Sequence, residues 1–290
     1  MLNRQFSKCL ALGALALGLF STAFASDVTP NRIGPVSQYG QLQAGKNASG
    51  KGRIYGNCAA YSTSGNEVMV KGMSLFWSCA ANQQRYWEKD VIAGLVEHQG
   101  IQLIRAAMAV DDMGDWADGH YFTKPDFYQA MLDEAVEAAI ENDIYVIIDF
   151  HSHVAADSVE NAKRFFRIQA EKWGKYDNVI FEVFNEPICA SGSVGDNGDC
   201  DSFGGFIGMA AIKAYADQVV SVIREYSDNL IIVGTPQWDQ HPEAAIDYPV
   251  NDPKSNVAYA LHYYAGETYH HDFDALTYNA ESAMNKGVSV

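Results

Sequence analysis

Apolar and polar positions alternate between two rhythms along this chain. Val68 to Trp77 reads as a strand. Arg85 to His98 carries Trp87, Val91, Ile92 and Leu95 at helical spacing and is closed by Gly100. Ile101 to Met108 is a short apolar strand holding one charge, Arg105. Pro125 opens a helix running through Met131, Leu132, Val136 and Ile140. Ile144 to Phe150 is a nearly continuous apolar run, the pattern of a strand covered on both faces. Further units follow: a helix at Ser158 to Trp173, a strand at Val179 to Phe184, a helix at Ile207 to Tyr226 and a strand at Leu230 to Gly234. Val257 to Tyr263 is another strand, Phe273 to Asn285 another helix, and Gly287 to Val290 the start of one more strand.

Repeated strand–helix units with buried strands predict an α/β sheet, either doubly wound or closed as a (β/α)8 barrel. No Gly-x-Gly-x-x-Gly or phosphate loop follows the first strand, which disfavours a dinucleotide fold. Several strands instead run into polar residues at their carboxyl ends, where barrel active sites are built. The expected architecture is therefore a (β/α)8 barrel, present as about six units and the beginning of a seventh strand over residues 68–290. Residues 26–67 form a lead-in of short strands or loops.

The first residues read as an address. Arg4 and Lys8 precede an apolar run from Leu10 to Phe20, and Ala23-Phe24-Ala25 supplies the small residues of a cleavage site. The run is short for a membrane span, so cleavage after Ala25 and export are expected rather than anchoring. Export makes Cys58, Cys79, Cys189 and Cys200 candidates for two disulfides with three pairings. Cys189 and Cys200 bracket a Gly/Ser/Asp loop and are favoured as one bridge, which leaves Cys58 with Cys79. The 290 residues carry 20 Lys and Arg against 36 Asp and Glu. That charge disfavours nucleic acid and anionic membrane surfaces as partners and suits a neutral or cationic substrate. Asp196, Asp199 and Asp201 do not match a calcium-loop spacing, and no metal or cofactor is expected.

Candidate chemistry gathers at the strand ends. Glu186, in Phe184-Asn185-Glu186-Pro187, follows a buried strand and is the leading catalytic candidate, with Asn185 beside it. Arg105 could knit the barrel or hold a carboxylate ionised. Of His151 and His153, the first lies closer to its strand end and is favoured. Strand alternation places His262 and Tyr264 on one face. Trp77 and Trp238 are either buried anchors or platforms for stacking sugar rings.

With these pieces assembled, the chain resembles the bacterial endoglucanases of glycoside hydrolase family 5. The likeness rests on residues 71–78 (KGMSLFWS), 104–108 (IRAAM), 148–153 (IDFHSH), 184–187 (FNEP), 231–238 (IIVGTPQW) and 261–266 (LHYYAG), in the family's order. It implies a secreted, monomeric, retaining endo-β-1,4-glucanase acting on cellulose or a related β-glucan. Glu186 would be its acid/base and Asn185 would bond a sugar hydroxyl. Arg105, His151, His262 and Tyr264 would surround the carboxylates, and Trp77 and Trp238 would stack sugars. The family's nucleophile glutamate would lie on the seventh strand, beyond Val290, and the 290 residues alone would not turn over. β-Mannanase or another β-1,4-glycanase, and a non-catalytic carbohydrate-binding protein, are the other readings.

Overall fold

The computed structural model describes residues 27–58, 67–188, 207–264 and 272–290. Six strands, β3 (Gly72–Leu75), β4 (Leu103–Ala109), β5 (Tyr145–His151), β6 (Val179–Glu182), β7 (Ile231–Val233) and β8 (Val257–Tyr259), lie in chain order in one all-parallel sheet. Helices α2 (Lys89–Gln99), α3 (Pro125–Glu141), α4 (Val159–Trp173), α5 (Met209–Ile223) and α7 (Phe273–Asn285) follow successive strands. The short α6 (Pro236–Asp239) lies between β7 and β8. Sequential parallel strands with helical crossovers are the arrangement of a (β/α)8 barrel, here an incomplete one.

Local chemistry sets the boundaries. Pro125 occupies the first turn of α3, where its missing N–H costs nothing. Gly100 ends α2 in the left-handed region at φ 60°, and its N–H returns to Val96 O. Asp272 caps α7, accepting from Asp274 N and Ala275 N. The expected strand at residues 68–77 shortens to β3: Met69 stands almost fully exposed, and the chain leaves the sheet at Phe76. β8 likewise ends at Tyr259, four residues before the alternating pattern suggested.

The main core fills the layer between sheet and helices. Trp87, Tyr128, Phe150, Phe165, Phe166, Phe181 and Phe184 are fully buried there. The other sheet face is apolar near the strand starts, where Leu103, Ile147, Ile180, Ile232 and Ala258 gather. The lead-in segment closes this end. It carries α1 (Pro35–Tyr39) and an antiparallel hairpin of β1 (Leu42–Lys46) and β2 (Gly52–Gly56). Leu42 and Val36 join Tyr145, Ile180 and Leu230 in a second cluster, and the Tyr145 hydroxyl donates to Gly40 O at 2.6 Å.

One disulfide expectation is corrected. Cys79 is a free, buried thiol, so the Cys58–Cys79 bridge is absent; Cys58 has a different partner. Phe76 and Ser78 are fixed by hydrogen bonds to Trp87 and Ala107, and that placement turns Cys79 into the core. Cys189, Cys200, the aspartates of residues 196–201 and the leader lie outside the described residues. Among the described residues, no helix is long and apolar enough to cross a membrane, and no group of three or more His, Cys, Asp or Glu side chains could hold a metal ion.

Candidate active site

Parallel pairing gathers the charges of three apolar strands on one sheet face. Asp149 on β5 pairs with Glu182 on β6, and both lie on the inner face with Arg105 of β4. Two adjacent buried carboxylates repel each other, and Arg105 bridges them. Its Nε donates to Glu182 Oε2 at 2.6 Å, while its terminal nitrogen reaches Asp149 Oδ2 and Asn185 Oδ1, both at 2.8 Å. Burial pushes Asp149 up to about 7 against the pull of Arg105. Burial raises Glu182 as well, again opposed by Arg105. Despite its own burial, Arg105 is held firmly cationic by these two carboxylates.

Glu186 stands one turn beyond β6. His153 Nε2 approaches Glu186 Oε2 at 3.1 Å, and His262 Nδ1 approaches Oε1 at 2.9 Å. Burial alone would raise this carboxyl, but the two imidazole hydrogen bonds outweigh it and hold Glu186 well below the usual carboxylate range. His262 is displaced the other way. Burial disfavours its charge, yet Asp239, Glu186 and Glu182 raise it to about 9. Asp239 Oδ2 lies 3.4 Å from His262 Nδ1, and the His262 N–H donates to Asp239 O at 2.9 Å.

Asp239 reaches this position through an unusual turn. Gln237, Trp238 and Asp239 have φ of 57°, 53° and 61°, three successive left-handed residues with side chains. Each such residue costs roughly 1–2 kcal/mol. The turn is held by the Thr235 N–H bonded to Asp239 Oδ1, by Asp239 N–H to Thr235 O, and by His241 Nε2 against Gln237 Oε1 at 2.9 Å. Backbone strain of this kind gathers at functional sites, where the surroundings over-determine it.

Trp77 forms one wall. The Trp87 indole N–H donates to Phe76 O at 3.0 Å, and Ser78 N–H to Ala107 O at 3.1 Å, which fixes the turn on both sides of Trp77. Its ring centroid lies 4.7 Å from that of His151 and 6.1 Å from that of His153. His151 is buried and bonds Asp149 Oδ2 through Nδ1 at 2.7 Å. Burial, with Arg105 nearby, keeps it neutral. On the inner face below, a cavity of about 370 Å³ has apolar walls that include Ile147 and Ile232, with Arg105, Glu182 and His262 also lining it.

Most of the predicted residues therefore meet: Glu186, Asn185, Arg105, His151 and His262 form one network, and Trp77 borders it. His151 joins the network through Asp149, and His153, two residues on, is the one of the pair that touches Glu186. One expectation changes. The alternation invoked for His262 and Tyr264 does not operate, because β8 ends at Tyr259; Tyr264 is 60% exposed. Trp238 sits in the left-handed turn, partly buried. Sequence reasoning missed Asp149, Glu182 and Asp239. The first two carried a usable signal, since a lone charge in an apolar strand needs an opposite charge on a neighbouring strand.

Residues 61–290 match the family model described as Cellulase (glycosyl hydrolase family 5). The chain belongs to this family. It is 34% identical to endoglucanase Z of Dickeya dadantii over 290 residues, covering 99% of this chain and 56% of that protein. It is 38% identical to endoglucanase A of Evansella cellulosilytica over 211 residues, covering 70% of this chain and 37% of the relative. The chain thus spans about half the length, or less, of these curated relatives. The catalytic domain of Thermobifida fusca endoglucanase Cel5A superposes with a TM-score of 0.68 at 25% identity, over 89% of this chain and 74% of that one. The Thermobifida fusca domain thus shares the parallel strand–helix architecture described above, and the region that matches the family model contains every strand of the parallel sheet.

Proposed function

We propose that the protein is an exported endo-β-1,4-glucanase that cleaves internal bonds of cellulose or a related β-glucan with retention, and that Glu186 is its acid/base. The observation that carries this reading is the Glu186 carboxylate, held between His153 and His262 beside the Arg105–Asn185 pair. Asn185 Nδ2 has no partner among the described residues, because Arg105 occupies only the amide oxygen; it is free to donate to a sugar hydroxyl. The relatives are named endoglucanases, and the Thermobifida fusca domain has been solved with cellotetraose, which supports a β-glucan substrate.

Retention needs a second carboxylate about 5–5.5 Å from the first. Asp149 and Glu182 are committed to Arg105, and Asp239 to His262 and Thr235. We assign the attack to a further carboxylate, other than these three. This division of labour fits the electrostatics of Glu186. With the nucleophile ionised nearby, like-charge repulsion raises Glu186 toward the protonated form that donates to the leaving oxygen. Once the nucleophile is esterified, the repulsion vanishes. The two histidines then draw Glu186 back to the carboxylate that activates water.

The test is Glu186→Gln in the complete gene product, assayed on carboxymethylcellulose and on β-mannan. Loss of hydrolysis with oligosaccharide binding retained supports the assignment, and near-wild-type turnover refutes it. Preference for mannan in the unaltered protein would keep the mechanism and change the substrate.

A further inference from the structure

Trp116 is a large aromatic residue left 53% exposed, on the loop that joins β4 to α3. Exposed indole is costly unless something covers it, and an isolated exposed tryptophan would signify little. This one is not isolated. Its ring centroid lies 5.5 Å from that of Trp77, with the planes inclined at 42°. Trp77 in turn adjoins His153, which bonds Glu186. The rings therefore form a chain of contacts from Glu186 through His153 and Trp77 to the exposed Trp116.

The loop is also built to hold its position. Asp118 N–H donates to Cys79 O at 2.7 Å, tying it to the segment that carries Trp77. Gly114, at φ 89°, makes the turn just before Trp116: its N–H reaches Asp112 Oδ1 at 2.9 Å, and Ala117 N–H reaches Gly114 O at 3.0 Å. The Tyr128 hydroxyl anchors Asp118 O at 2.7 Å from α3, and Lys124 pairs with the Asp118 carboxylate. A ring fixed before its ligand arrives loses little entropy on binding.

We propose that Trp116 is a further sugar-binding residue, which extends the glycan path beyond Trp77 and selects single, twistable β-glucan chains over the flat faces of crystalline cellulose. The inference rests on the glucanase reading above and goes beyond it in naming the form of the substrate. Sugar rings stack their C–H faces on an aromatic plane. Two planes inclined at 42° cannot both lie flat on one crystal face, whereas a free chain rotates about its glycosidic bonds and meets each in turn. Asp111, Asp112 and Asp115 border the ring in sequence and bring hydroxyl-binding oxygens to the same loop.

The experiment compares the complete gene product with Trp116→Ala and Trp116→Phe, measuring kcat/KM on cellohexaose, amorphous cellulose, crystalline cellulose and an aryl cellobioside. The cellobioside is the short control, two sugars against the six of cellohexaose, and is expected not to reach Trp116. The expected result is a loss of about three- to tenfold on cellohexaose and amorphous cellulose for Trp116→Ala, the size of one aromatic contact. Activity on the cellobioside and on crystalline cellulose should be unchanged, and Trp116→Phe should recover part of the loss. Equal loss on all four substrates, or no loss on cellohexaose, overturns the proposal while leaving the glucanase reading intact. Absence of activity on every β-glucan in the unaltered protein overturns both.

Discussion

Arg105→Met should expose how much of the fold depends on one buried cation. The guanidinium bonds Glu182 at 2.6 Å and Asp149 at 2.8 Å, and those carboxylates are register neighbours on one sheet face. Methionine fills much of the same volume but leaves two buried carboxylates facing each other without a counter-charge. Breaking a buried pair in this way costs about 3–5 kcal/mol, on the order of 10 °C in Tm for a domain of this size. The cost should depend on pH. Without Arg105, both carboxyls rise further above their unfolded values, so the folded state binds more protons than the unfolded one. Stability then falls as pH rises above about 4. Urea unfolding followed by tryptophan fluorescence should show a larger loss at pH 8 than at pH 5. Arg105→Met/Glu182→Gln should recover part of it. A loss below about 1 kcal/mol at pH 8, or the same loss at both pH values, would refute the reasoning, since it would mean the carboxylates do not depend on Arg105.

Other outcomes follow from the same geometry. His262 is raised from 6.5 to about 9, so its contribution is complete below pH 6.5 and lost as pH rises through 9; that difference corresponds to about 3 kcal/mol. Unfolding at pH 6 and pH 9.5 should show this change, and His262→Gln should flatten it. A Cβ at Gly234 would lie 2.5 Å from Phe184 O and 2.8 Å from Pro187 Cδ, directly behind the Asn185–Glu186 segment. Gly234→Ala should therefore lower kcat at least about tenfold by displacing Glu186, with a stability cost of about 1–3 kcal/mol; kinetics at saturating soluble glucan would show it.

How much of this was legible beforehand varied with the length of each pattern. α3 and α7 begin where the sequence placed them, because Pro125 and the cap before Phe273 are local signals. The β1–β2 hairpin was not resolved from its surroundings, since it buries little beyond Leu42 and owes its place to contacts with distant strands. The strand ends were the least readable part. Period-two alternation paired His262 with Tyr264 by extending β8 past its last residue, Tyr259, and nearness to the end of β5 did not separate the roles of His151 and His153. Asp239 had no sequence signal at all: only a left-handed turn of three non-glycine residues brings it under His262.

The charged layer raises the question of why the sheet keeps it. Along β4, β5 and β6 the inner face runs from Leu103, Ile147 and Ile180 at the apolar end to Arg105, Asp149 and Glu182 one step higher. Continuing the apolar pattern would give equal or greater stability, because a buried ion pair recovers its desolvation cost only with near-ideal geometry. What the charges add is direction. Arg105 spends one nitrogen on the Asn185 amide oxygen and so fixes which way Nδ2 faces; Asp149 holds His151 by Nδ1 and leaves Nε2 without a partner among the described residues. Each buried charge thus sets the orientation of a group in the candidate site, an arrangement that aliphatic side chains could not supply.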